Sequence, residues 1–251
     1  RTYRVVVFDG VALDWLDAGL QVVAVADARH NPRGALVEEA RAKGIRILTS
    51  SAVIEARGTK HVTAARVAAI DLKAHKVASP GEWLDCDLVA SSGGYSPVVH
   101  LASHLGGKPI WREDILGFVP GEAPQKRVCV GGVNGVFALG DALADGFEGG
   151  ARAAVEAGFK VVEGVLPKVL ARQEEPTVAL FQVPHEKATA RAPKQFVDLQ
   201  NDVTAAAIEL ATREGFESVE DWREAHELFF EQPIEPGTLI EAIRFRVVER
   251  L

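Results

Sequence analysis

Cysteine is scarce in this chain of 251 residues, present only as Cys86 and Cys129. Two thiols inside apolar, strand-like runs exclude a disulfide framework and predict buried side chains in a reducing compartment. No set of His, Cys, Asp and Glu has metal-ligand spacing: His100 and His104 would share one helix face, but no third ligand accompanies them. No apolar run approaches the roughly 18 residues of a spanning helix, and the N-terminal RTYRVVVF lacks the apolar segment of a signal peptide. The expectation is a soluble, cytoplasmic protein without a membrane partner. Because the first residue is Arg, the sequence is also expected to begin inside a larger reading frame. Positive charge is in deficit, with 28 Lys and Arg against 35 Asp and Glu for a net charge of -7. That balance counts against a nucleic-acid groove spread over the whole surface.

A glycine-rich nucleotide fingerprint is also missing where one is expected. Arg4 to Phe8 reads as an apolar strand, Val11 to Ala18 as a short helix closed by Gly19, and Gln21 to Ala26 as a second strand ending at Asp27. This is the β-α-β outline of a nucleotide-binding half, with Asp27 where an adenosine ribose would be held. The turn offers only Asp9-Gly10, and Gly10 to Asp27 falls short of the usual spacing of about 20 residues. A purely structural β-α-β unit therefore stands as the alternative at that turn.

The chain is long enough for one main domain with an appendage. A helix over Ala35 to Lys43, stopped by Gly44, and a strand over Ile45 to Leu48 continue the alternation. Ala52 to Ala56, His61 to Ile70 and Lys76 to Ala78 alternate as an antiparallel meander, with Arg57-Gly58 and His75 at turns. Asp85 to Ala90 reads as one buried strand that breaks on Gly93-Gly94 and Pro97, a crossing point between domains or a flexible loop.

The most informative stretch is Val128 to Phe159. Val136 to Leu139 reads as a buried strand running into Gly140-Asp141, followed by a small-residue helix from about Gly149 to Gly158. That arrangement would set the Asp141 carboxylate at the carboxyl end of a strand, where a ribose or ribityl hydroxyl could donate to it. Gly140 would admit the ligand closely, and Ala151, Ala153, Ala154 and Ala157 would let the helix lie against a sheet or pyrophosphate. The Pro-rich, charged stretch over 171–195 reads as a linker. Thr204 is placed to cap a helix over Ala205 to Arg213 ended by Gly215, and Ser218 to cap a further helix over Val219 to Phe230.

The phrases GGVNGVFALGDALADG and KQFVDLQNDVTAAAIELATREGFESVE resemble the α subunit of heterotetrameric sarcosine oxidase and related amine and opine oxidase subunits. These belong to the two-dinucleotide-binding-domain FAD/NAD oxidoreductases. The likeness runs from about Val22 to Glu220, with FVDLQNDVT its most specific part. It implies an α/β fold: a Rossmann-like dinucleotide-binding sheet with an antiparallel meander insert, then a small helical C-terminal module. The corresponding boundaries are 1–170, 171–195 and 196–251. It implies NAD as cofactor, with FAD or FMN shared with a partner subunit, and other oxidase subunits as partners. The activity implied is oxidative demethylation of sarcosine or a similar secondary amine, with hydride passing to flavin. Cofactor contacts would fall to Asp27, Gly93, Gly94, Tyr95, Gly140 and Asp141, the ASSGGYSP loop closing over the cofactor. No residue offers itself as catalytic acid, base or nucleophile. The four cysteines that carry an iron–sulfur cluster in related oxidoreductases are absent. After Glu220 the likeness ends, and the tail resembles the end of an ASCH domain, a small barrel with RNA-related roles. The alternatives are thus an interaction scaffold with an incomplete nucleotide site and an RNA-related protein.

Overall fold

The computed structural model describes residues 4–7, 11–104, 106–161, 164–169, 178–198 and 202–216. The chain forms two compact units, one from Arg1–Asn31, Ile45–Ser91 and Leu180–Leu251, the other from Pro32–Gly44 and Ser92–Ala179.

In the first unit, β1 (Arg4–Val7) leads through α1 (Val11–Asp17) to β2 (Gln21–Asp27). The chain then passes through α2 (Ala35–Ala42), which counts with the second unit, to β3 (Ile47–Thr49). Strand β2 is buried over its last four residues, as the continuous Val/Ala run of a strand covered on both faces requires. Next come β4 (Ser51–Gly58), β5 (Val62–Asp71), β6 (Lys76–Val77), β7 (Glu82–Asp85) and β8 (Leu88–Ala90). The parallel sheet has the order β3-β2-β1-β8. β5 is the spine of the meander, pairing antiparallel with β4, β6 and β7. A Rossmann-like α/β sheet with a meander insert is therefore what the chain builds.

The two sheets share one core. Ala24 and Ala26 of β2 pack with Ala65 and Val67 of β5, Leu84 of β7 and Cys86, while Val23, Leu48, Val53, Val62 and Val89 close around them. Three alanines at the centre let the layers approach, and the buried Val67 and Leu84 beside them contribute roughly 1.5–3 kcal/mol each. The run Asp85 to Ala90, expected as one strand, is divided. β7 pairs antiparallel with β5 and β8 parallel with β1, so the chain changes sheet at Cys86-Asp87, with the Cys86 N–H donating to Thr63 O at 3.1 Å. Both sheets bury an apolar strand equally well, which hides the break from the sequence.

The second unit continues with α3 (His100–Ser103), the hairpin of β9 (Ile110–Arg112) and β10 (Gly117–Val119), and α4 (Leu139–Glu156). Val136 to Leu139 does not form the expected strand. Val136 and Phe137 have no regular structure, and α4 begins at Leu139 rather than near Gly149. Four glycines between Gly140 and Gly150 disfavour a helix, each by about 1 kcal/mol relative to Ala, and so pushed the expected start too late. Packing decides otherwise: Gly149 is buried, and a Cβ there would stand 2.4 Å from Val130 Cγ1 and 3.3 Å from Val128 Cγ1. Helix α4 therefore lies directly on the Val128–Val130 segment.

Back in the first unit, the chain makes a hairpin of β11 (Phe196–Asp198) and β12 (Val203–Thr204), then α5 (Ala205–Glu214). As expected, Thr204 Oγ1 accepts from Ala207 N at 3.2 Å and Gly215 ends the helix with φ 102. The hairpin before α5 had no counterpart in the sequence reading. The expected helix after Ser218 and the tail past Glu220 lie outside the described residues.

Candidate dinucleotide sites

Of the sequence-predicted residues, Asp27 lies in the first unit and Gly93, Gly94, Tyr95, Gly140 and Asp141 in the second. Asp27 is the last residue of β2, at the carboxyl end of the parallel sheet, where open α/β sheets receive ligands. Its side chain is nearly buried and accepts from three N–H groups of Arg29, with Nε reaching Oδ2 at 3.2 Å as well as Oδ1. The Arg29 N–H donates to Oδ1 at 2.9 Å, Nε donates to Oδ1 at 3.0 Å, and Nη2 donates to Oδ2 at 2.7 Å. The segment that follows is anchored to the β3–β4 turn. Ser50 N–H donates to Arg29 O at 2.9 Å, and His30 Nδ1 lies 3.0 Å from Ser50 Oγ. Sequence reasoning found Asp27 but missed Arg29, although the i, i+2 spacing of carboxylate and guanidinium was there to read. The Asp9-Gly10 turn lies outside the described residues.

In the second unit, the approach to α4 is a short turn over Gly131–Asn134 that leads to an extended Ala138 at the helix cap. The first intrahelical bond, Ala142 N to Ala138 O, is 2.8 Å, so the amides of Leu139, Gly140 and Asp141 precede it as outward donors. No side chain caps them. Asp141 is exposed on this first turn, and a Cβ at Gly140 would meet only Val169 Cβ, at 3.8 Å. Asp145 Oδ2 accepts from Gly131 N at 2.7 Å and so fastens the turn to the helix. The Tyr95 ring lies 5.5 Å from that of Phe137, tilted by 32°. This contact sets the exposed Gly93-Gly94-Tyr95 loop beside the segment that enters α4.

The same unit has an open cleft of about 440 Å³ whose lining includes Glu122, Lys126, Arg127, Cys129 and Asn134, and none of the predicted residues. The Arg127 guanidinium is engaged by Ala102 O and Gly121 O, so this side chain holds the cleft wall together. Among the described residues, no group of three or more His, Cys, Asp or Glu is arranged to hold a metal, and no helix is long and apolar enough to cross a membrane.

Asp27 stands at the strand end where open α/β sheets receive ligands, with both carboxylate oxygens engaged by Arg29. The uncapped start of α4 suits a phosphate, and Asp141 beside it suits a hydroxyl donor.

A family model described as the sarcosine oxidase A3 domain matches residues 192–223. The sarcosine oxidase subunit alpha of Corynebacterium sp. (strain P-1) is 35% identical over 202 residues, covering 79% of this chain and 21% of that protein. The subunit of the same name from Rhizobium meliloti (strain 1021) is 31% identical over 205 residues, covering 81% and 19%. Among solved structures, L-proline dehydrogenase from P. horikoshii superposes with a TM-score of 0.47 at 14% identity, covering 96% of this chain and 44% of that one. The chain spans about a fifth of the length of the curated relatives it matches. Over about four fifths of its length, this chain is similar to one segment of sarcosine oxidase α subunits, as the phrase FVDLQNDVT had indicated.

Proposed function

We propose that this chain is the dinucleotide-binding part of an oxidoreductase complex that oxidises a secondary amine such as sarcosine. The observation that carries the reading is the similarity to sarcosine oxidase α subunits, which takes in residues of both compact units. In this reading Asp27 receives the adenosine ribose of NAD. Asp141 and the first-turn amides of α4 receive the sugar-like chain and phosphate of FAD or FMN, with the Gly93-Gly94-Tyr95 loop lying over it. The cofactor supplies the hydride-accepting atom, and the residues of this chain bind and orient it. Other oxidase subunits complete the assembly and bring the amine site.

Replacing the Asp141 carboxylate tests the reading. An ionised acceptor bonded to hydroxyls is worth about 1.5–3 kcal/mol, so Asp141→Ala should weaken FAD or FMN binding by roughly 10- to 150-fold in calorimetric titration. Asp145→Ala cannot serve as the control, because that carboxylate fastens Gly131. Glu148→Ala, an exposed position on the same helix, is the suitable one. Unchanged binding in Asp141→Ala removes this residue from the site. A wild-type chain that binds no flavin or nicotinamide dinucleotide favours the scaffold reading. That second reading draws on α4, which leaves Leu139 63% and Phe147 41% exposed, on the side that a protein partner could cover.

A further inference from the structure

The open cleft of the second unit is lined by charges of both signs that do not bond to one another. Arg127 is half-buried on its wall, with the guanidinium donating to the carbonyl oxygens of Ala102 and Gly121. Those acceptors are neutral, so the full positive charge remains, and further N–H groups of the fork are left for a ligand. Gly107 makes room for this arrangement: a Cβ there would stand 2.8 Å from Arg127 Nη2 and 2.6 Å from Glu122 O. A side chain at that position would force the two apart. Lys126 adds a second cation to the lining and Glu122 an anion, both exposed. Among the described residues, neither the Lys126 nor the Glu122 side chain has a hydrogen-bond or ion-pair partner. Asn134 supplies an amide that can both donate and accept.

We infer that this cleft is a binding site for a small α-amino acid in its zwitterionic form, separate from the candidate cofactor residues. Arg127 and Lys126 receive the carboxylate, and Glu122 receives the ammonium group. The volume of about 440 Å³ leaves room for such a molecule and its side chain. Charge complementarity selects the class. A simple anion meets the repulsion of Glu122, and a simple cation meets that of Lys126 and Arg127, whereas a molecule carrying both charges bridges the groups that the fold leaves unpaired. The inference stands or falls apart from the dinucleotide reading, because none of the residues it uses belongs to that site.

Cys129 allows occupancy to be read directly, because it lines the cleft while Cys86 is fully buried in the first unit. The whole folded chain is alkylated with iodoacetamide, and mass spectrometry follows the Cys129 peptide with L-alanine, propionate or ethylamine present. Propionate and ethylamine each carry one of the two charges of alanine on a similar frame. Alanine should slow the alkylation saturably, and either comparator should need roughly tenfold more for the same slowing. Lys126→Gln and Glu122→Gln should each raise the half-protecting concentration of alanine by about tenfold, equivalent to 1.4 kcal/mol. Glu122→Gln should at the same time improve protection by propionate, because the opposing carboxylate is gone. These two exposed positions are chosen because Arg127 holds the cleft wall, and Glu148→Gln, exposed on α4, should leave protection unchanged. Protection by propionate or ethylamine equal to that by alanine overturns the inference. So does alanine protection that is absent or that survives both cleft substitutions, and so does a Cys129 that resists alkylation without any ligand.

Discussion

Thr204 shows how much a single side chain settles locally. It ends β12 in an extended conformation, and its hydroxyl accepts from Ala207 N, which satisfies one of the donors that a helix start leaves over. Thr204→Ala should destabilise the protein by about 1 kcal/mol, whereas Thr204→Asp should retain most of that stability; chemical denaturation of the two variants measures the difference. A variant Thr204→Ala with the wild-type midpoint would show that tertiary contacts alone hold α5. Asp145 is the opposite case at the same scale. Its partner, the Gly131 amide, lies fourteen residues away, and nothing in the local sequence announces that bond.

Helix α4 is the element on which the second unit's candidate site depends. Two neighbouring glycines on it offer a direct contrast. At Gly149 an added methyl group would run into Val130 at 2.4 Å, while at Gly150 it would meet nothing within 4 Å. A valine side chain is stiff at Cβ and cannot swing aside, so Gly149→Ala has to push the helix off the Val128–Val130 segment. Overpacking of this kind costs typically 1–3 kcal/mol. Gly150→Ala should instead stabilise by about 0.4–1 kcal/mol, because the change restricts the unfolded chain and clashes with nothing. Urea unfolding midpoints of the pair should therefore move in opposite directions. Shifts of the same sign would mean that α4 does not lie on this segment as described.

Across the first unit, distant parts of the chain are joined by charge as well as by the core. Arg66 on β5 donates from Nη2 to Glu186 Oε2 at 2.7 Å, and its Nε lies 3.4 Å from Glu55 Oε2 on β4. The bond from the Arg66 guanidinium holds the Glu186 carboxyl below its ordinary value of 4.5. A carboxyl depressed on folding contributes stability that is fully present above its unfolded value and is lost as the pH falls through the lower folded value. The contribution at this exposed position is small. Thermal melts of wild type and Glu186→Gln should accordingly differ at pH 7 and converge at the acid end. A difference that persists unchanged below the carboxylate range would assign the effect of the substitution to packing rather than to charge.

The sequence by itself determined the alternation of strands and helices through Leu48, the meander, the caps of α5 and the resemblance to sarcosine oxidase α subunits. These features are local: apolar periodicity, a glycine at a helix end, or a threonine before an alanine run each act within a few residues. Gly93, Gly94, Tyr95, Gly140 and Asp141 were legible as candidates because a glycine pair and a Gly-Asp step stand out in any context. Only the tertiary structure decided that Val136 to Leu139 is no strand, that the run from Asp85 to Ala90 serves two sheets, and that Asp27 is clasped by Arg29. The physical reason is common to the first two. A short apolar run satisfies burial equally well as strand, helix or connection, so the choice falls to the surface it meets, and that surface comes from elsewhere in the chain. For Asp27 the reason is geometric: whether a guanidinium two residues on folds back onto a carboxylate depends on the turn that anchors it, here through Ser50.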